Sequence, residues 1–353
     1  MYSVKRYLIL CLCLFLLMFL IPFFSMGAKP QDGVSPSSLS DSQPSSPSAE
    51  SAADSQAPVS SGETPVLTVY DEFKILDKKT GEILVVPDQE FVYGAVVTEM
   101  LPSFETEALK AQAVAAYTHF CKLRAEERAE PSDDLKGADF AADVSGWEYY
   151  VSKSQMQDRW GDQFDAYYQK VQEAVDAVYG EVLEYDGELI VSAYHAISGG
   201  NTEAAEDIFG GALDYLVPVP SPGDLLAPNY QTTAEFSAEE FEAIAKERWP
   251  DITLEGEPAT WVGEAEKTDS GTVLSIQIGS KAAEGQDVRA AFSLRSADFD
   301  LLYTQNQFVF TVRGYGHGVG MSQYGAEYMA EQGSDYKQIL SWYYPGTSLI
   351  QTR

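Results

Sequence analysis

The sequence predicts an α+β fold, a single exported globular domain of mixed helices and mainly antiparallel strands behind an N-terminal membrane helix and a disordered tether. Three observations predict it. Segments of period-two alternation and segments of helical periodicity are interspersed without a regular strand–helix–strand rhythm, which argues against a doubly wound parallel sheet. Residues 7–24 form a nearly unbroken apolar run, YLILCLCLFLLMFLIPFF, preceded by Lys5 and Arg6. Residues 29–64 are rich in Ser, Pro, Ala, Asp and Gln and almost devoid of large apolar side chains, so they cannot bury a core. The expected organisation is therefore a cytoplasmic tip and anchor over 1–28, a linker over 29–64 and a globular domain over 65–353.

The apolar run is at the lower limit for a membrane span and long for a signal-peptide core. The basic pair ahead of it favours a cytoplasmic N-terminus with the rest exported, a single-pass protein of the cell membrane. An uncleaved anchor is favoured over cleavage near Ser25, Met26, Gly27 and Ala28. Leu10 before Cys11 argues against a lipoprotein site.

In the domain, VLTVY (66–70) alternates like a strand, and residues 82–86 resume after a turn at Lys78-Lys79-Thr80-Gly81. Asp88 suits an N-cap for a helix running to Met100 and stopping before Pro102. A second helix is expected after Ser103, its core face carrying Leu109, Ala113, Ala116, Phe120 and Leu123. One helix is expected over 154–178. Strand 181–185 meets strand 188–195 through Asp186-Gly187, a strong hairpin signal. Strands at 273–278 and 307–312 follow, then two short helices at 322–332 and 334–344 parted by Gly333.

The formal net charge of −31 argues against nucleic acid, whose phosphates need Lys and Arg, and against an anionic membrane surface. Cys11 and Cys13 lie in the apolar run, so Cys121 is alone in the exported part and forms no internal disulfide. No nearby His is placed to activate it, and it reads as a small core residue. The three histidines, His119, His195 and His317, are scattered, and no metal-type Cys pair lies outside the apolar run. No metal and no cofactor are expected.

Four segments carry polar or glycine-rich chemistry. Glu99 sits in the last turn of a short, mostly apolar helix, where the dipole and lost solvent would raise its pKa toward that of a general acid. Among 54 acidic residues this alone does not single it out. Gln112 stands alone in an Ala-rich helix, where it could bond across a close contact or belong to tight packing. Tyr194-His195-Ala196-Ile197-Ser198-Gly199-Gly200-Asn201-Thr202 is a strand opening into a Ser-Gly-Gly turn, and His195 alone reads as a hydrogen-bonded structural His. In Gly314 to Gly325, glycines alternate with Tyr315, His317 and Val319 before Ser322, Gln323 and Tyr324, and the bare backbone suggests the wall of a site. It lacks the phosphate-loop ending and the Gly-x-Ser-x-Gly elbow, which leaves a serine hydrolase built on Ser322 and His317 poorly supported.

Taken in order, TEMLPSFETEALKAQAVAA, YHAISGGNTEAAEDIF, YLVPVPSPGD, FSLRS, RGYGHGVGMSQYGA and ILSWYYPGT resemble the stage II sporulation protein D family, whose domain also occurs in modifiers of cell-wall amidases. The resemblance spans roughly 65–344. It implies a membrane-anchored lytic transglycosylase that cuts MurNAc–GlcNAc bonds of peptide-stripped peptidoglycan to 1,6-anhydro ends, in septal wall remodelling and engulfment during sporulation. The alternative is a non-catalytic glycan-binding enhancer of a cell-wall amidase. The family's catalytic Glu falls on Glu99, although Leu101 is inserted before Pro102. Gln112, His195, Ser198, Gly199, Gly200, Thr202, Tyr315, Gly316, His317, Gly318, Ser322, Gln323 and Tyr324 are the expected glycan-binding residues. Tyr117 stands where the family usually has Arg. Some relatives bind zinc after the second helix, where residues 142–150 here hold neither His nor Cys. An amidase that strips the peptides and a membrane scaffold of the engulfment machinery are the implied partners.

Overall fold

The computed structural model describes residues 70–352. The expected anchor and tether lie outside the described residues, as does most of the expected strand at 66–70. Among the described residues no helix is long and apolar enough to cross a membrane.

The chain first lays down β1 (Glu72–Asp77) and β2 (Ile83–Pro87), an antiparallel hairpin joined by β3 (Phe140–Ala142) in parallel. Between them run α1 (Asp88–Glu99) and α2 (Thr106–Ala129). From Ala108 to Thr118 every residue of α2 except Lys110 is buried. A helix apolar on all sides is enclosed on all sides. The single core face read from the sequence is therefore too narrow, and α2 is the central post of the domain. The alanines are what let α1, α4 and the later helices approach it.

Asp88 is not the cap of α1; Pro87 holds that position and makes no side-chain bond. The Asp88 carboxylate instead accepts from Arg124 Nη1 at 2.9 Å and from Tyr117 Oη at 3.0 Å. The Arg124 guanidinium lies 4.0 Å from the centre of the Phe73 ring. A buried charge pair of this kind repays its desolvation only when every member is satisfied.

The single helix expected over 154–178 is two, α3 (Lys153–Trp160) and α4 (Phe164–Asp176). Gly161, at φ 50°, turns the chain between them. Next come β4 (Glu181–Tyr185) and β5 (Glu188–Leu189), joined by Asp186-Gly187 with positive φ at both residues as the turn requires. The strand expected to continue to His195 breaks off, and only β6 (Tyr194–His195) resumes pairing. The short α5 (Ala205–Phe209) follows.

Residues 231–313 then build a lobe with its own core. It contains β7 (Gln231–Ser237), α6 (Ala238–Arg248), β8 (Val262–Lys267), β9 (Val273–Ile278), β10 (Lys281–Glu284), α7 (Gly285–Ala291), β11 (Phe299–Thr304) and β12 (Gln307–Arg313). Its two three-stranded antiparallel sheets have orders β10-β9-β8 and β11-β12-β7. On β12, Phe308, Phe310 and Val312 alternate inward, as a half-buried strand dictates. Phe308 stacks on Phe241 at 3.9 Å between centroids, with Trp261 beyond at 5.8 Å.

The chain returns to the first core through β13 (Met321–Ser322), α8 (Gln323–Glu331), α9 (Tyr336–Tyr343) and β14 (Ser348–Gln351). β14 pairs antiparallel with β4, and β13 pairs in parallel with β6. Helices and mainly antiparallel sheets are thus mixed, as an α+β fold requires. The last pairing, between segments far apart in sequence, is the one that positions the site.

Candidate active site

Glu99 is the last residue of α1, and Met100 leaves the helix in an extended conformation. The extra Leu101 is absorbed in the turn beyond, where Phe104 N–H donates to its carbonyl at 3.0 Å. α8 brings Gln323 against Glu99, its Nε2 donating to Oε2 at 3.3 Å. The same Nε2 lies 3.5 Å from Oε1 of Gln112 on α2. Gln112 has no exposed surface, and its own Nε2 has no hydrogen-bond partner among the described residues. Three residues read separately from the sequence thus form one polar cluster within an apolar core.

Burial pushes the Glu99 carboxyl up to about 7, and the Gln323 amide opposes that rise by bonding the ionised form. Tyr194, on β6, sits close enough for the Glu99 charge to help raise its phenol, after burial as the larger cause. Sequence reasoning passed over Tyr194 because it saw a strand ending in His195. The alternation of a strand, which sends neighbours to opposite faces, was the signal available.

A second cluster holds three segments together. Asp224, wholly buried, accepts from Ser198 N–H at 2.9 Å and Ser198 Oγ at 2.5 Å through one oxygen, and from Ser322 Oγ at 2.6 Å through the other. Ser322 also caps α8 through Gly325 N–H at 3.2 Å. Its hydroxyl is engaged with Asp224, not with His317, so no Ser–His dyad forms. Asp224 closes the YLVPVPSPGD segment but was not singled out as a site residue. The Thr202 hydroxyl donates to the Val217 carbonyl at 3.3 Å. The carbonyls of Gly199 and Gly200 accept from Tyr230 Oη at 3.1 Å and Ser221 N–H at 2.9 Å.

The two histidines face each other, ring centroids 5.7 Å apart. His195 Nδ1 lies 3.1 Å from the Val319 carbonyl, and His317 Nδ1 accepts from Val319 N–H at 3.1 Å. Burial lowers both, and the neighbouring His195 and Arg289 help push His317 down to about 3. Both imidazoles are therefore neutral near pH 7, with His195 donating Nδ1–H to the Val319 carbonyl and His317 Nδ1 accepting from the Val319 N–H.

The glycine-rich segment 314–320 owes its composition to close packing against the protein's own chain. A Cβ on Gly316 would stand 2.8 Å from His195 Cβ, and one on Gly320 would stand 2.0 Å from the Ala193 carbonyl. Both residues have positive φ. Their bare side faces the 193–203 segment, which the folding argument from sequence did not foresee. Tyr315 exchanges backbone hydrogen bonds with Ile197, and Gly316 and Gly318 bond Arg295 and Glu203 through the main chain. Tyr324 N–H donates to the Ala196 carbonyl at 3.1 Å, and its ring packs edge-on against Phe104.

Tyr117 is buried on the Asp88–Arg124 pair. Residues 142–150 form a tight loop closed by carboxylates. Glu148 accepts from Asp143 N–H at 2.6 Å and from Lys78 Nζ at 2.6 Å. Among the described residues no three His, Cys, Asp or Glu side chains are grouped to hold a metal ion. Burial pushes the Cys121 thiol up to about 12, so it remains a thiol.

A half-buried carboxyl pushed up to about 7 and bonded by an amide has the chemical character that general acid/base work needs. A family model described as stage II sporulation protein matches residues 76–185, which include Glu99 and Gln112. The chain is 35% identical over 267 residues to stage II sporulation protein D of Bacillus subtilis (strain 168), covering 75% of each chain. It is 37% identical over 267 residues to stage II sporulation protein D of Bacillus amyloliquefaciens, again over 75% of each. A more distant relative, the amidase enhancer of Bacillus subtilis (strain 168), is 26% identical over 314 residues, 72% of this chain and 40% of that protein. The chain belongs to the stage II sporulation protein D family.

Proposed function

We propose that the protein is a lytic transglycosylase that cleaves MurNAc–GlcNAc bonds of peptidoglycan strands already stripped of stem peptides. The observation that carries this reading is the Glu99 carboxyl, raised to about 7 by burial and bonded by the Gln323 amide. A glycosidase that uses water normally needs two carboxyl groups. One group suffices when the nucleophile is the sugar's own hydroxyl. Glu99 gives its proton to the glycosidic oxygen as the C1–O bond breaks. The muramoyl O6 then bonds to C1, and its proton passes to the Glu99 carboxylate. The product is a 1,6-anhydro end, no water is consumed, and Glu99 is protonated again.

In this reading the glycan runs past Tyr194, Tyr315, His317 and Tyr324, which are half-buried. Gln112, His195, Ser198, Thr202, Ser322 and Gln323 are buried and shape the groove from beneath. Stripped glycan lacks peptide carboxylates, so a chain of net charge −31 repels it less. The apolar run at 7–24 anchors the chain in the cell membrane with the domain exported. It acts on septal wall during engulfment, beside an amidase and a membrane scaffold.

The test is to incubate the purified protein with peptide-free glycan and analyse the ends. We expect 1,6-anhydro products that fall by about 10²–10⁴-fold in Glu99→Gln. Absence of these products, or unchanged cleavage by the variant, sinks the reading. The likeness to the amidase enhancer favours one rival, a glycan-binding module that stimulates an amidase. That rival predicts stimulation that survives Glu99→Gln with no cleavage by the protein alone.

A further inference from the structure

We infer that Gln112 and Gln323 are positioning residues, an amide relay that reverses its orientation as Glu99 gains and loses a proton. Only one part of this rests on the proposed reaction, namely that Glu99 gives up and regains a proton in each cycle.

The arrangement in the structure suits the ionised carboxylate. Gln323 Nε2 donates toward Glu99 Oε2 at 3.3 Å and toward Gln112 Oε1 at 3.5 Å. A carboxylate only accepts, so it needs the nitrogen of the amide. A protonated carboxyl has an O–H to donate and needs the oxygen instead. A side-chain amide carries both at nearly interchangeable positions. Half a turn of the Gln323 amide presents Oε1 to the Glu99 O–H. Half a turn of the Gln112 amide then presents Nε2 to the same Gln323 oxygen. Every hydrogen bond reverses while each amide only exchanges the places of its nitrogen and oxygen.

The orphaned nitrogen of Gln112 supports this. Gln112 is fully buried, and in the ionised arrangement its Nε2 has no partner among the described residues. A buried donor left unpaired costs about 1–3 kcal/mol. In the reversed arrangement that nitrogen gains an acceptor. A lysine at 323 would serve only the carboxylate, and a second Glu would serve only the acid. An amide serves both, as a group that is acid in one step and base in the next demands.

The backbone around Gln323 is fixed, which leaves the amide as the moving part. Ser322 caps α8 and is held by Asp224, and Tyr324 N–H is held by Ala196. The last turn of α1 has no basic residue, and among the described residues no cation pairs with Glu99. α2 contributes Gln112 here, and the titratable group facing Glu99 from β6 is Tyr194.

The test is an NMR titration of the full-length chain without substrate, so loss of glycan cleavage leaves it readable. The Glu99 carboxyl signal is assigned by its disappearance in Glu99→Gln. In the unsubstituted protein the side-chain amide signals of both Gln323 and Gln112 should shift with the Glu99 midpoint. Gln323→Leu and Gln323→Met should each move that midpoint upward by about one pH unit. Both should also abolish the pH response of Gln112, which senses the proton only through Gln323. A Glu99 midpoint unmoved in both variants overturns the relay. So does a Gln112 amide signal that stays constant through the Glu99 midpoint.

Discussion

The two cores of the domain treat polar groups in opposite ways. The first core encloses Asp88, Gln112, Arg124, His195, Asp224, Ser322 and Gln323 among its apolar side chains. The core of residues 231–313 is built from Phe241, Trp261, Phe308, Phe310 and their aliphatic neighbours. The buried polar residues of that lobe, Thr272, Ser296 and Asp298, lie at its edge toward the first core. Thr272 N–H reaches Glu203 at 3.3 Å, and Asp298 takes Arg313 at 3.1 Å. Buried polar groups detract from stability unless each is paired. One region therefore carries the buried polar groups and their cost, while the other contributes a conventional apolar core and braces the loop 198–203.

The difference can be broken first with large core changes. Arg124→Met leaves Asp88 buried without its cation and should destabilise by about 3–5 kcal/mol in chemical denaturation. Replacing Asp88 by Leu in the same chain should recover much of the loss. Phe308→Ala in the other core should also remove about 3–5 kcal/mol, with no partner change able to rescue it. If both losses respond alike to a second substitution, the contrast between the cores fails.

A smaller effect sharpens the contrast within the site. The folded pKa of Glu99, about 7, lies above the ordinary value of 4.5. The folded state thus holds this proton more tightly than the unfolded chain, and stability falls as pH rises from 4.5 to 7. Glu99→Gln should therefore stabilise the protein at pH 7.5 by on the order of 1–3 kcal/mol. The gain should vanish below pH 4.5, as read by urea midpoints at the two pH values.

Gly320→Ala tests the close approach of the glycine-rich segment before β13. Its positive φ alone disfavours a side chain by about 1–2 kcal/mol, and the Ala193 carbonyl adds a clash. Thermal melting should show a loss of at least that size, with cleavage reduced because β13 leads into Gln323. The smallest effect belongs to the seam. Burial raises the Glu203 carboxyl, and its Oε2 has no hydrogen-bond partner among the described residues. Glu203→Gln should stabilise by about 1 kcal/mol at neutral pH and be silent in acid.

Much of this was legible in the sequence, for reasons that differ by element. Asp186-Gly187 announced its hairpin because only a few residues tolerate two positive φ angles. Val273–Ile278 and the Phe-rich strand before Gly314 announced themselves by composition. The joint at Gly161 was hidden because the apolar spacing continues through it. The strand β8 was hidden because its exposed Glu264 and Glu266 read as loop, and β11 because the exposed Leu302 breaks its in–out alternation. Within the site, Glu99, Gln112 and Gln323 could each be flagged, but nothing local says that they meet. Asp224 was invisible as a tie because its partners, Ser198 and Ser322, lie on two other segments.

The pairing of Glu99 with Gln323 spans 224 residues. A chain still being synthesised carries its acid long before the amide that aligns it exists. Strands β6 and β13, two residues each, must find one another across most of the domain before α8 can be set down. Such non-local closure comes late, because loop entropy must be overcome before the contact rewards it. The order of synthesis thus withholds the finished site until the C-terminal helices have folded back. A chain cut short before residue 323 would keep the acid and lack its partner.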